Sequence, residues 1–209
     1  MKNLYAKRFC LTLVLLSLLS IPALTGAQDK PPEYATLVAA LKAGNTNIDY
    51  TRLRMSYVES PEHKKFVDMS NASKAMYDAL QAKDYAGALK NAKTVLDSEY
   101  VNLDAHFVAS IANHELGKTD KAEFHKTVFR GLIDSIRSSG DGKSPEKAWV
   151  VISVHEEYVV LRMMGFVPSQ QSLLHKDGHF YDEMKVKNPD TGEEATYYFN
   201  TDIPMKEGL

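Results

Sequence analysis

Two stretches of this chain repeat one another at a fixed distance, and that repeat restricts the possible folds more than any other feature. KDYAGALKNA begins at Lys83 and GKTDKAEFHK at Gly117. In the first, Asp84-Tyr85 opens a helix and Ala88 follows three residues later. In the second, Lys118-Thr119 opens a helix and Ala122 follows three residues later. The two alanines are 34 residues apart, and a helical pattern precedes each stretch: SKAMYDALQA before the first, DAHFVASIANHEL before the second. A period of that length holds two helices and two short turns. A small residue at the crossing lets paired helices approach closely, and a short turn keeps them antiparallel. The apolar positions predict a core of Leu89, Val95, Leu96, Val108, Ile111, Val128, Phe129, Leu132, Ile133 and Ile136.

The segment from about residue 70 to 137 resembles the tetratricopeptide repeat, a resemblance that implies a surface for binding proteins or peptides. The first-helix positions that normally carry a large aromatic hold Ala72 and His106 here, and no proline closes either unit. An ordinary antiparallel helical bundle would also give amphipathic helices and short loops. Either way, the chain is expected to be helical from Pro32 to Arg137. Upstream, PPEYATLVAALKAG offers prolines at a helix start, an apolar stripe of Leu37, Ala40 and Leu41, and Gly44 at its end. DYTRLRMSYVES offers Asp49 as a cap, Leu53 and Tyr57 four apart, and Ser60-Pro61 as a stop.

Past Gly140 the period changes. AWVVIS (148–153) reads as a short buried strand. Ser153 and Glu156 fit a capping box at the start of a helix whose inner face would hold Val154, Tyr158 and Leu161, with Gly165 at its end. QQSLLHK and HFYDEMKVK flank Asp177-Gly178, a pair that favours a type I′ hairpin. Phe180, Met184 and Val186 share one face of the second strand. In EATYYFN, Ala195, Tyr197 and Phe199 alternate with more polar neighbours, as in a half-buried strand. The expected fold class is α+β: tetratricopeptide-like helical hairpins, then a small antiparallel sheet with one helix, leaning on the last long helix of the body. The expected organisation is a leader over 1–27, a helical region over 28–140, and a small α+β region over 141–209.

The leader reading rests on MKNLYAKRFCLTLVLLSLLSIPALTGAQ. Lys2, Lys7 and Arg8 precede an apolar run from Phe9 to Leu19, and Thr25-Gly26-Ala27 supplies small residues for cleavage. The run is shorter than the roughly 20 residues a membrane-spanning helix needs, and Cys10 lies too early for lipidation at the cleavage point. Cleavage near Ala27 would place the protein in the periplasm or outside the cell. It would also remove the one cysteine, so the mature chain would hold no disulfide and no thiolate ligand. The chain has 25 basic and 27 acidic residues. Without the leader's three basic residues the balance becomes 22 to 27, with no basic stripe, which argues against nucleic acid and anionic membrane as partners.

Gly142-Lys143-Ser144 resembles the end of a phosphate-binding loop. The motif also needs a glycine at 137, where Arg137 stands, and a strand before it, where a helix is expected. Pro145 removes an amide besides. Gly140 ending a helix and Asp141-Gly142 turning the chain account for the same residues.

Seven histidines warrant a metal test. His114-Glu115 begins like H-E-x-x-H, but Lys118 stands where the second histidine belongs, so no metal site and no cofactor is expected. His106, Ser110 and Asn113 fall at i, i+4 and i+7 on one helix face, with His125 on the next helix. They form either a satisfied internal network or a ligand-contacting groove. Glu156 is expected to cap its helix. Glu157 is expected on another face, solvated or paired with a base, where an acidic pair at a helix start favours the dipole.

SGDGKSPEKAWVVISVHEEYVVLRMMG, the later GHFYD and the closing TYYFN resemble the bacterial family termed domain of unknown function 4919. The resemblance extends to residues 48–57 and to DAHFVAS near residue 107. It implies a secreted protein of the Bacteroides type and carries no activity. The functional expectation is a periplasmic or extracellular, non-enzymatic binding protein for a protein or peptide partner, with His106, Ser110, Asn113, His125, Glu157 and Tyr158 as binding candidates and no catalytic residues. The alternative is an envelope hydrolase in which His106, His125 and Glu157 converge in one cleft. A third use is addition of TYYFN, taken as the outer strand, to a partner's sheet.

Overall fold

The computed structural model describes residues 32–65 and 68–206, and the leader reading falls outside them. Helices fill the first part: α1 (Glu33–Lys42), α2 (Tyr50–Val58), α3 (Pro61–Lys64), α4 (Ser70–Gln81), α5 (Tyr85–Ser98), α6 (Leu103–Glu115) and α7 (Thr119–Arg137). A 3-10 turn over Pro145–Lys147 leads to strand β1 (Trp149–Val150) and helix α8 (Val154–Met163). Strands β2 (Val167–Lys176), β3 (His179–Lys187) and β4 (Glu194–Asn200) follow, then a short α9 (Asp202–Lys206). The class is α+β, as the change of period predicts.

The helix starts follow local chemistry. Asp49 accepts from the Arg52 amide at 2.9 Å, Asp84 from Gly87 at 2.9 Å and Asn102 from Ala105 at 2.9 Å. Each satisfies a backbone donor that the first helical turn leaves open. Helices α4 to α7 stack in sequence order as two antiparallel hairpins, with Ala88 and Ala122 both buried at the predicted crossings. Eight of the ten predicted core residues are buried, and Leu89 and Ile111 are half-buried. Helix α2 lies on α7 where Gly131 leaves room: a Cβ there would stand 2.4 Å from the Tyr50 ring.

The sheet order is β1-β4-β3-β2. β2, β3 and β4 are antiparallel, but β1 pairs parallel with β4, Trp149 opposite Phe199. The sheet is therefore mixed, and the all-antiparallel expectation is corrected. The α8 crossover returns the chain so that β1 and β4 run in the same direction. TYYFN is not the outer strand either. β4 has β3 on one side, while β1 and a bond from the Tyr198 amide to the Gly142 carbonyl (2.8 Å) occupy the other. The open edge is β2.

The hairpin at Asp177-Gly178 has φ of 52° and 82°, the two positive values a type I′ turn requires. The Gly142-Lys143-Ser144 segment packs against Trp149. A Cβ on Gly142 would stand 2.7 Å from the indole, and one on Gly140 2.2 Å from the Lys147 carbonyl oxygen. Both glycines serve a close approach of chain to chain. Helix α7 meets the sheet at β1, whereas α8 packs on both β2 and α6. Apolar residues from helices and sheet, including Leu132, Ile136, Val159, Leu161, Met184 and Phe199, form one continuous core.

Candidate functional site

Four consecutive residues of α8, His155-Glu156-Glu157-Tyr158, reach four different elements. Successive helical residues point about 100° apart, so four of them span the full circumference. A helix exposed on one side would carry polar groups on that side only. Here the surroundings supply a polar partner in every direction.

His155 Nε2 lies 2.8 Å from Asp104 Oδ2 on α6. Arg162, two turns further along α8, pairs with the other oxygen of Asp104 and lies 3.5 Å from the Tyr77 hydroxyl. Burial alone would push the Asp104 carboxyl up. The bonds from His155 and Tyr77, with the charge of His155 and Arg162, outweigh burial and hold it below the usual carboxylate value. The bond to Asp104 raises the pKa of His155, against the effect of burial. The His155 side chain is half exposed, so a histidine biased toward its charged form faces solvent.

Glu156 points inward to Arg54 of α2. Arg54 donates through Nε to Oε1 at 2.9 Å and through Nη2 to Oε2 at 2.5 Å. Its remaining donors reach Ser135 Oγ on α7 at 3.2 Å and the Val150 carbonyl at 3.1 Å. The guanidinium fork fits a carboxylate in two parallel bonds, and four of its five N–H donors are used here. Arg54 is 1% exposed and Glu156 4%. The predicted capping box does not form: the Ser153 side chain makes no cap bond, and Glu156 accepts from the Ile152 amide at 2.9 Å, one residue before the cap. The pull of Arg54 draws the glutamate inward.

Glu157 is also inside, with no exposure, and the expectation of a solvated or base-paired glutamate is corrected. Neither of its oxygens meets an N–H or hydroxyl donor. The group that faces it is the Asp182 carboxylate of β3. Burial first, then the charge and hydrogen bond of Asp182, push the Glu157 pKa up to about 9. At neutral pH Glu157 is therefore the protonated member, and its O–H is the one available donor between the two carboxyl groups. Asp182 also accepts from Gln171 Nε2 of β2 at 2.5 Å, and Gln171 Oε1 accepts from the Tyr158 hydroxyl at 2.7 Å. Tyr158 is 40% exposed rather than on the predicted inner face, which is formed by Glu156, Glu157, Val159, Val160 and Leu161.

His106 and His125 do come together. His106, fully buried, has Nε2 at 2.9 Å from the Tyr100 carbonyl and Nδ1 at 3.0 Å from His125 Nδ1. A carbonyl only accepts, so His106 carries its proton on Nε2. Its Nδ1 is then an acceptor, and His125 must donate from Nδ1. Burial, then the neighbouring His125, lowers the His106 pKa to about 3. Burial, then Lys121, lowers that of His125 to about 4. The pair is neutral. Asn113 bonds its own helix at the Ala109 carbonyl (2.8 Å), and Ser110 is half-buried. Glu157 takes its electrostatic partners from Asp182 and Glu156, not from the two histidines, so the three residues of the hydrolase expectation do not form one constellation.

The concave surface nearest these groups lies over the corner between α5 and α6. One cavity of about 290 Å³ is lined by Tyr77, Glu99, Asp104 and His155. It shares Met69 and Glu99 with a second of about 210 Å³ at Tyr57, His63 and Ser153. That one shares Glu62 and Ser98 with a third of about 270 Å³ at Tyr34 and Val38. Together they form a groove past α1, α3, α4 and the start of α8. Among the described residues no cluster of three or more His, Cys, Asp or Glu side chains is placed to hold a metal. No helix among them is long and apolar enough to cross a membrane.

None of the binding candidates named from the sequence, His106, Ser110, Asn113, His125, Glu157 and Tyr158, lines this groove. The sequence reading did not single out Arg54, Asp104, His155, Arg162, Gln171 or Asp182. An arginine directly after Leu53 on a buried helix stripe is the one local sign of these.

The family model for the domain of unknown function (DUF4919) matches residues 34–208. The chain belongs to that family. The match runs from α1 through α9, so helical body and sheet are one family unit, consistent with their common compact unit. Searches of the curated proteins and of the solved structures found no match.

Proposed function

We propose that this DUF4919 protein is a non-enzymatic binding module of the periplasm or extracellular space that takes a peptide segment of a partner protein in the groove over the α5–α6 corner. The observation that carries the reading is His155. Asp104 holds it toward its charged form, half exposed, at one end of a groove that continues past Glu99 and Glu62 to Tyr34 and Val38. A groove lined by charges of both signs, tyrosines and a methionine suits an extended peptide better than a small apolar ligand. Of the titratable groups around it, Asp104 and Tyr77 are engaged by His155 and Arg162 of α8, and Glu99 accepts from Asn102. The envelope placement rests on the leader-like start of the chain.

The test is affinity capture from the envelope fraction of the producing cell, read by mass spectrometry. It compares the native protein with Glu62→Lys in the groove and Lys90→Glu away from it, both positions being exposed. A partner retained by Lys90→Glu and lost with Glu62→Lys supports the reading. A partner indifferent to Glu62→Lys, or no partner with a folded bait, refutes it.

A further inference from the structure

Strand β2 is an open sheet edge. Its one neighbour is β3, and among the described residues no backbone group bonds to its other side. Natural edges are guarded by charge, proline or bulges. On β2 the proline and the bulge fall together at Pro168–Gln170, and from Gln170 to Lys176 the register is regular. That regular segment is QQSLLHK, with no acidic residue and one lysine at its end. Five large hydrophobic side chains are exposed on the described surface. Val167 and Leu173 belong to β2, and Tyr158 is bonded to it through Gln171. Half-exposed apolar area thus concentrates at the edge with open backbone groups.

The hairpin fixes which groups are open. In a two-residue hairpin the residues flanking the turn exchange both backbone bonds, and the pattern then alternates along the ladder. Lys176 opposite His179 is that flanking pair. Lys176, Leu174, Ser172 and Gln170 therefore direct their backbone groups to β3. His175, Leu173 and Gln171 turn theirs outward, with Leu173 at the centre of the regular segment.

We propose that this edge pairs antiparallel with the same edge of a second copy of the chain, about a twofold axis at Leu173. That register sets Leu173 against Leu173, Gln171 against His175, and Gln170 against Lys176. It uses the whole regular segment and leaves Pro168 and the bulge outside. The three outward residues of each copy then exchange about six hydrogen bonds. Charge favours a second copy as the occupant, because no like charges stand opposite one another in this register. The contact is isologous, so it closes at a dimer and leaves no further edge of this kind.

The test uses light scattering and single-cysteine variants in a Cys10→Ser background, Cys10 being the one cysteine of the chain. The protein is expected to scatter as a dimer. Leu173→Cys is expected to form a disulfide-linked dimer on mild oxidation. Facing Cα atoms in a hydrogen-bonded antiparallel pair lie about 5.5 Å apart, within the span of about 4.4–6.8 Å that a disulfide bridges. Gln170→Cys is expected to stay unlinked, since its two copies would stand about 20 Å apart at roughly 3.3 Å per residue. Leu173→Lys is expected to give a folded monomer that melts where the native protein melts once diluted to monomer, because the side chain is 56% exposed in the single copy and the dimer contact itself adds stability. A protein monomeric at every attainable concentration, a dimer that survives Leu173→Lys, or equal cross-linking at 170 and 173 would overturn the proposal. Capture of a different protein through this edge would overturn it too.

Discussion

Replacing Glu157 by Gln is expected to stabilise the protein at neutral pH, by an amount that grows with pH. Glu157 has no solvent exposure and faces the Asp182 carboxylate, which pushes its pKa from 4.5 to about 9. In the unfolded chain it returns to its ordinary value and ionises. The folded state then binds a proton the unfolded state has released, so stability is complete below about pH 4.5 and falls as pH rises toward 9. At pH 7 the gap from 4.5 is about 2.5 pH units, which at 1.36 kcal/mol per unit is about 3 kcal/mol. Glutamine keeps the shape, cannot ionise, and offers an N–H to Asp182 in place of the O–H. Glu157→Gln is therefore expected to gain about 3 kcal/mol over the native protein at pH 7, more at higher pH, and little at about pH 4.5. Urea unfolding followed by Trp149 fluorescence at about pH 4.5, 7 and 8.5 measures this difference. If the two stability curves run parallel across that range, Glu157 is ionised in the folded protein, and the account of its pairing with Asp182 fails.

Arg54→Met leaves Glu156 charged and buried, and is expected to cost about 3–5 kcal/mol. Adding Glu156→Met should recover most of that loss, and urea midpoints of the single and double variants check both statements. Asp104→Asn removes the main cause that raises His155, so the imidazole should titrate at lower pH in an NMR titration; an unchanged midpoint would dissociate the pair. His106 and His125 are neutral in the fold, with pKa values of about 3 and 4 against 6.5 for a free histidine. Their contribution is full above pH 6.5 and is lost as pH falls toward those values, with unfolding taking up roughly two protons in that window. His125→Gln should bring the uptake nearer one, as read from the slope of stability against pH.

Much of the helical part was legible because its signals are local. Asp49 and Asp84 cap the helices they precede, and Ala88 and Ala122 mark buried positions from sequence spacing alone. Asp177-Gly178 specified its turn in the same way. The parallel pairing of β1 with β4 was not legible, because two residues of strand carry no periodicity and their partners lie about fifty positions away. The candidate groove was equally hidden. Asp104 and His155 read as ordinary polar helix residues until the fold sets them 2.8 Å apart.

Helix α8 shows why the remainder went astray, and what its polar residues do. The sequence reading turns Tyr158 inward, uses Glu156 as a cap and leaves Glu157 solvated or paired with a base. The fold rotates the helix so that Glu156 and Glu157 are inside and Tyr158 is at the surface. That choice is not made for stability. Burying Glu156 and Arg54 costs desolvation that their attraction only roughly offsets, and the Glu157–Asp182 contact becomes a liability as pH rises. The apolar neighbours on the same face, Val159, Val160 and Leu161 with Met184, Val186 and Phe199, supply the favourable burial. They would accept α8 at several rotations, since one aliphatic side chain substitutes for another at small cost. The polar contacts would not. Turning α8 by one residue would leave Arg54 and Glu156 buried without each other, Asp104 without His155, and Gln171 without Tyr158. Each broken contact of that kind is expensive. The apolar residues hold the sheet to the helical body, and the His-Glu-Glu-Tyr segment sets the rotation at which they do so. That rotation fixes both the position of His155 in the groove and the position of Tyr158 beside the open edge of β2.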